Sequence, residues 1–183
     1  MAPLATGPDL QVFLQDPDLD QFAADLAVKI ASSDIRDHVG WSISQETAVQ
    51  LTLDGRGERR IFLPTLLLTD VAEVVEDGVT LVADDDYQWS RSGFIRRINA
   101  RWPYKERSIQ PTITHGYATV PDSVRGVCLA VAGRIVNNPE NVTSYSIDGV
   151  SERTGTAATV LVSVGLLDSE KKTLGRYMLP VTG

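Results

Sequence analysis

The sequence predicts an α+β fold: a helical core, a β-hairpin-rich insert, a short C-terminal helix and an extended tail. Three observations lead there. In "DPDLDQFAADLAVKIASSDIRDHVG" apolar residues recur at three- and four-residue steps. From Trp41 to about Tyr117 the period becomes two. After Pro121 the helical period returns. Residues 1-40 are then the N-terminal helices of the core and 41-118 the β-rich insert. Residues 119-183 supply the core helix, a β-hairpin, the short C-terminal helix and the tail, so the chain is one structural domain with an insert.

The first long helix places Leu19, Phe22, Leu26 and Ile30 on one face, and its polar face is acidic. Asp16 can cap it, Pro17 suits the first helical position, and Asp18 and Asp20 favour the positive end of the dipole. Gly40 provides a stop. A shorter helical turn, "PDLQVFLQ", precedes it.

In the insert, "TAVQLTL", "DGRGER" and "RIFLP" predict a strand, a turn and a strand. "VAEVVEDGVTLV" holds Asp77-Gly78 between β-rich runs, a strong hairpin signal. "YQWSRSGFIRRI" predicts another hairpin and "SIQPTITHGY" a last strand.

"THGYATVPDSVR" is the joint back into the helical core: Gly116 gives backbone freedom and Pro121 opens the helix. Val124, Val127, Cys128, Val131 and Ile135 form its apolar stripe, and "NNP" ends it at Pro139. "SYSIDGVSE" and "AATVLVSVG" predict a hairpin around "RTGT". "LDSEKKTLGRYM" is the final helix, capped by Asp168 or Ser169.

Composition narrows the function. A chain of 183 residues with 43% hydrophobic content has a real core. The net charge of -7 argues against a general nucleic-acid coat. One cysteine makes no internal disulfide, and no apolar run is long enough for a membrane span. The start lacks a signal-peptide pattern, so synthesis in a cytosol is expected.

Catalytic constellations are weak. Cys128 falls on an apolar stripe and is expected to be a buried small hydrophobe. His115 and His38 lie in different elements with no second ligand at metal spacing, so structural roles are expected. "ADDDYQW" lacks the central glycine and terminal glutamate of a calcium loop, and "DGRGERR" matches no phosphate loop. "NVT" is a formal glycosylation acceptor without a secretory signal. The terminal "LPVTG" spells a sortase motif without its apolar segment and basic tail, and is taken as coincidence or an added tag. The expectation is no enzyme, no metal and no cofactor.

One stretch stands out: "WSRSGFIRRINARWPYKER" interleaves Trp89, Phe94, Trp102 and Tyr104 with cations up to Arg107. It could stack bases and track a phosphate backbone, which makes a nucleic-acid-binding module the alternative reading. The preferred one is a twisted hairpin with aromatics inward and arginines outward, used as a protein contact.

The order of parts resembles the head-to-tail adaptor (head–tail connector) family of tailed bacteriophages, in the version found in phages infecting actinobacteria. The resemblance covers nearly the whole chain. It rests on Asp86-Tyr87 with Trp89 and Gly93, on the run Thr114 to Pro121, and on the helix that follows. The chain departs from the family by running past its final helix into "LPVTG". The resemblance implies a structural virion protein at the head–tail interface, made in the host bacterial cytoplasm. It implies a homo-oligomer, usually a dodecameric ring beneath the portal protein, that extends the DNA channel and presents a surface to the stopper or tail-completion protein.

Three residue sets follow as expectations from that role. Asp18, Asp20, Asp25, Asp34 and Asp37 would line the channel and repel the passing genomic DNA. Leu174, Tyr177, Met178 and Leu179 would dock to the portal, so removing the chain from Ser169 onward would abolish docking and leave the fold intact. Arg96, Arg97 and Trp102 would contact the neighbouring subunit or the tail side.

Overall fold

The computed structural model describes residues 1–137, the strand residues 144–147 and 150–153, and residues 165–180. The chain forms two compact units. One is Pro3–Val39 with Val120–Met178, and the other is Met1–Ala2, Gly40–Thr119 and Leu179–Gly183.

The first unit is helical. Helix α1, Gly7–Leu14, opens with a capping box: Asp9 N donates to Thr6 Oγ1 at 3.3 Å, and Thr6 N donates to Asp9 Oδ2 at 3.0 Å. Helix α2, Gln21–Val39, starts four residues later than the Asp16 cap predicts. Asp20 is the cap, and its Oδ1 accepts from Ala23 N at 2.9 Å. Asp16 instead accepts from Asp18 N at 3.1 Å, so Pro17 lies in a turn rather than in the first helical position. Gly40, at φ 82°, follows α2 as the left-handed stop.

Helix α3 is Asp122–Asn137, and α4 is Asp168–Leu174, which runs into a 3-10 turn at Gly175–Tyr177. The residue before α4 is Leu167, not Asp168 or Ser169. Glu170 reaches back to accept from Leu167 N at 2.8 Å.

The core of this unit corrects one expectation. Leu19, Phe22, Leu26 and Ile30 do follow a helical period, but the last three are exposed. The buried side of α2 is Ala24, Ala27, Val28, Ala31, Ile35 and Val39. Two stripes of helical period coexist in this sequence. The packed one is built of small residues, which let the neighbouring helices approach closely. Val124, Val127, Cys128 and Val131 of α3 are buried as the stripe predicts, and Ile135 is half-buried.

The second unit is all β. Strands are β1 Glu46–Gln50, β2 Leu53–Arg56, β3 Arg60–Phe62, β4 Leu68–Glu76, β5 Val79–Thr80, β6 Tyr87–Ser90, β7 Phe94–Arg97 and β8 Tyr104–His115. The long β8 is the organiser. It pairs antiparallel with β1 and β2 along one edge and with β4 along the other, and β5 pairs with β4. A separate antiparallel sheet runs β3-β7-β6.

The Asp77-Gly78 hairpin is present, with φ of 50° and 83° at its two central residues, the left-handed pair its turn type requires. The β6–β7 hairpin is also present. The expected strand-turn-strand over residues 47–64 is not. "LDGR" is itself strand β2, and β1, β2 and β3 pair with β8 and β7 instead of with one another. Glycine-rich "DGRG" mimics a turn, but Gly55 is needed because Pro103's carbonyl oxygen occupies the place of a side chain.

Leu63, Leu68, Val74, Tyr87, Ile95, Trp102, Ile109 and Ile113 lie in the core of this unit. Further on, β9 Ser144–Ile147 pairs with β10 Val150–Arg153. The stretch expected to be one strand is thus two, and its expected partner over 157–165 lies, apart from Gly165, outside the described residues.

Candidate functional site and interaction surfaces

Two exposed surfaces stand out. The first is the outer face of α2. Phe22 is 77% exposed, Leu26 47% and Ile30 39%. At 3.6 residues per turn they form a row opposite the buried alanine face, with exposed Asp37 at its end. Val12 and Phe13 of α1 are also exposed.

The aspartates expected to act together are spread around the helical unit. Asp18 lies in the α1–α2 turn and Asp20 is the cap. Asp25 is tied to α1, accepting from Gly7 N at 3.0 Å and from Gln21 Nε2 at 3.0 Å. Asp34 is half-buried, and burial, then the Asp37 charge, pushes its carboxyl above the usual range. Asp37 is exposed.

The second surface is the outer face of the β3-β7-β6 sheet. Cross-strand pairing aligns Arg60, Arg96 and Gln88 in one row and Phe62, Phe94 and Ser90 in the next. Arg60 lies over the Phe94 ring at 5.1 Å, Phe62 and Phe94 are tilted together at 6.1 Å, and Arg96 donates to Gln88 Oε1 at 2.8 Å. A hollow of about 200 Å³ opens between Arg60, Trp89, Phe94 and Arg96. A larger groove of about 290 Å³ runs between β2 and β3. Arg56, Arg60, Asp54 and Glu58 are among the residues that line it.

Of the three residues expected at an interface, only Arg96 is exposed. Arg97 faces inward, with Nε 3.0 Å from Glu76 Oε2, Nη1 3.5 Å from Asp86 Oδ1 and its guanidinium 5.6 Å from the centre of the Trp102 ring. Trp102 is 2% exposed and belongs to the core. Burying Trp102 breaks up the aromatic run read as a base-stacking strip. Tyr104 is exposed on β8, and Lys105 is bound to Asp77 at 2.7 Å. The sequence signal for the real surface is the i, i+2 alternation of cation and phenylalanine in "RIF" and "FIR", which one face of a strand collects.

The four C-terminal residues also separate. Leu174 is fully buried and Tyr177 nearly so, its hydroxyl 3.1 Å from Ser123 Oγ. Glu170 is 9% exposed and takes two hydrogen bonds from Arg134, at 2.7 and 2.8 Å. Met178 is exposed, and Leu179 lies against Gly40. Removing the chain from Ser169 onward would therefore open the helical core, contrary to the expectation of an intact fold.

Cys128 is buried, with its Sγ 3.5 Å from Ser32 Oγ, and burial raises its thiol above the usual range. His115 is buried with Nε2 3.9 Å from Glu46 Oε2. Burial lowers its pKa, and Glu46 opposes that in part. Among the described residues, no group of three or more histidines, cysteines or carboxylates could hold a metal ion, and no helix is long and apolar enough to cross a membrane.

No family model and no curated protein matches the chain. Solved structures do. The chain is similar to a chain of the neck of a native GTA particle computed with C12 symmetry: 15% identity, TM-score 0.59, over 97% of this chain and 93% of that one. It is similar to a chain of the virion of a native gene transfer agent (GTA) particle, at 14% identity and TM-score 0.63, over 97% and 91%. It is similar to a chain of the neck of an empty GTA particle computed with C6 symmetry, at 14% identity and TM-score 0.59, over 97% and 91%. The α+β fold of this chain is therefore shared, along nearly its whole length, with chains of those particles.

Proposed function

We propose that the chain is a structural subunit of the neck of a phage-like particle, and specifically a head-to-tail adaptor. In this reading it forms a ring, dodecameric in the simplest case, beneath the portal. The ring extends the DNA channel and offers a docking surface to the stopper or tail-completion protein. The observation that carries the reading is the likeness of fold over 97% of the chain to chains of GTA neck and virion structures, two of them computed with rotational symmetry. The buried thiol and buried histidine agree with a role built on surfaces and not on reacting groups.

Within this role, the aspartates of the N-terminal helices repel the phosphates of DNA in transit. Asp18 and Asp20, which are exposed at the start of α2, carry most of that effect. Met178 and the residues beside it dock to the portal, with Leu174 and Tyr177 holding the helix from within. Arg96 serves a subunit or tail-side contact.

The test is electron microscopy of the purified chain mixed with the portal protein from the same genome. Added ring density under the portal, with the portal's symmetry, is the expected result. Bare portals beside folded free chain would overturn the proposal.

A further inference from the structure

We infer that the outer face of α2 in one copy packs on the outer face of the β3-β7-β6 sheet of the next copy. This contact rests on the ring reading and names the surfaces that build the ring. Phe22, Leu26 and Ile30 form an apolar row on a helix whose other side is already packed. Large apolar residues grouped on an exposed face mark a contact. The sheet face offers the matching chemistry: Phe62 is 59% exposed beside Phe94, flanked by Arg60 and Arg96. Arginine and aromatic side chains are the residues that interfaces favour.

Charge selects the occupant. Between Gly7 and Val39 the sequence holds seven aspartates against Lys29 and Arg36, and of these Asp9 is paired with Arg125 of α3 at 2.6 Å. Strands β3, β6 and β7 carry Arg60, Arg96 and Arg97 and no carboxylate. Arg97 is neutralised by Glu76 and Asp86, whereas Arg60 rests on an aromatic ring and Arg96 on an amide. An α2–α2 contact would bring Asp37 and Asp34 towards their own copies. A sheet–sheet contact would oppose arginines. Only the mixed contact joins apolar to apolar and acid to base. A mixed contact uses different surfaces on the two copies, so it propagates and, where the rotation closes, makes a ring.

Thiol trapping tests this, because Cys128 is the only cysteine and is fully buried. Leu26→Cys and Phe62→Cys chains, each mixed with portal protein, are treated with a short bis-maleimide. The expected result is no covalent dimer from either alone, a dimer from the two together, and a ladder beyond dimers from the double variant. Adding Arg60→Glu and Arg96→Glu should cut the yield about tenfold or more. A dimer from Leu26→Cys alone would replace the mixed contact with an α2–α2 one. Portal-bound wild-type rings with no trapping of the mixture would overturn this contact and leave the ring reading standing. Absence of rings from the wild-type chain would remove both.

Discussion

Leu26 and Ile35 stand nine residues apart on α2 and point in opposite directions: Ile35 is fully buried, while Leu26 is 47% exposed. Nine residues are about two and a half helical turns, so the two cannot share an environment. Ile35→Ala should cost about 2–5 kcal/mol, the range for an emptied core position. Leu26→Ala should cost less than about 1 kcal/mol, because most surface changes are small. Denaturant unfolding of the two variants checks this. An equal loss in both would mean the outer row is packed within the isolated chain.

Two glycines should respond in opposite directions. Gly93 has φ 78°, and a methyl group there would run into the Thr65 carbonyl oxygen. Gly93→Ala should destabilise the β unit by about 1–3 kcal/mol or more, from left-handed strain plus the clash. Gly126 lies on the exposed side of α3 with open space around it. Gly126→Ala should stabilise by about 0.5–1 kcal/mol, through helix propensity. Thermal melts of both variants decide the matter.

The Arg134–Glu170 pair ties α4 to α3. Glu170→Ala leaves a guanidinium facing a core that held its partner. Loss of one member of a fully buried pair costs about 3–5 kcal/mol. The Arg134 side chain is 23% exposed, so a smaller loss is expected. The effect should survive high salt, unlike that of an exposed pair. A loss that vanishes in molar salt would contradict the buried geometry.

His115 makes stability depend on pH. Burial depresses its pKa below the ordinary 6.5, against a partly opposing Glu46. In the unfolded chain the imidazole takes up its proton first as pH falls, so the unfolded state binds more protons. The stabilisation is therefore complete above pH 6.5 and is lost as pH falls from there towards the folded-state pKa. His115→Gln should flatten the stability profile over that window, measured by denaturant unfolding from pH 7.5 to 5. An unchanged slope would assign it to the carboxylates.

The sequence alone was enough for the α+β class, for α3 with its buried cysteine, and for the hairpins at Asp77-Gly78 and at residues 87–97. Each of these rests on short-range rules: a period, a proline, a turn dipeptide. Tertiary packing decided the rest. Residues 16–39 contain two apolar stripes of the same period, and only the approach of the neighbouring helices chooses the alanine side and leaves Phe22, Leu26 and Ile30 outside. "DGRG" has the composition of a turn, and only the pairing of Leu53, Gly55 and Arg56 with the distant β8 makes it a strand. Arg96 and Arg97 are neighbours in sequence, yet the strand pleat sends one to solvent and the other to Glu76, Asp86 and Trp102. Local periodicity states which residues can share a face. Which face is buried depends on partners far away along the chain, and that is a property of the fold.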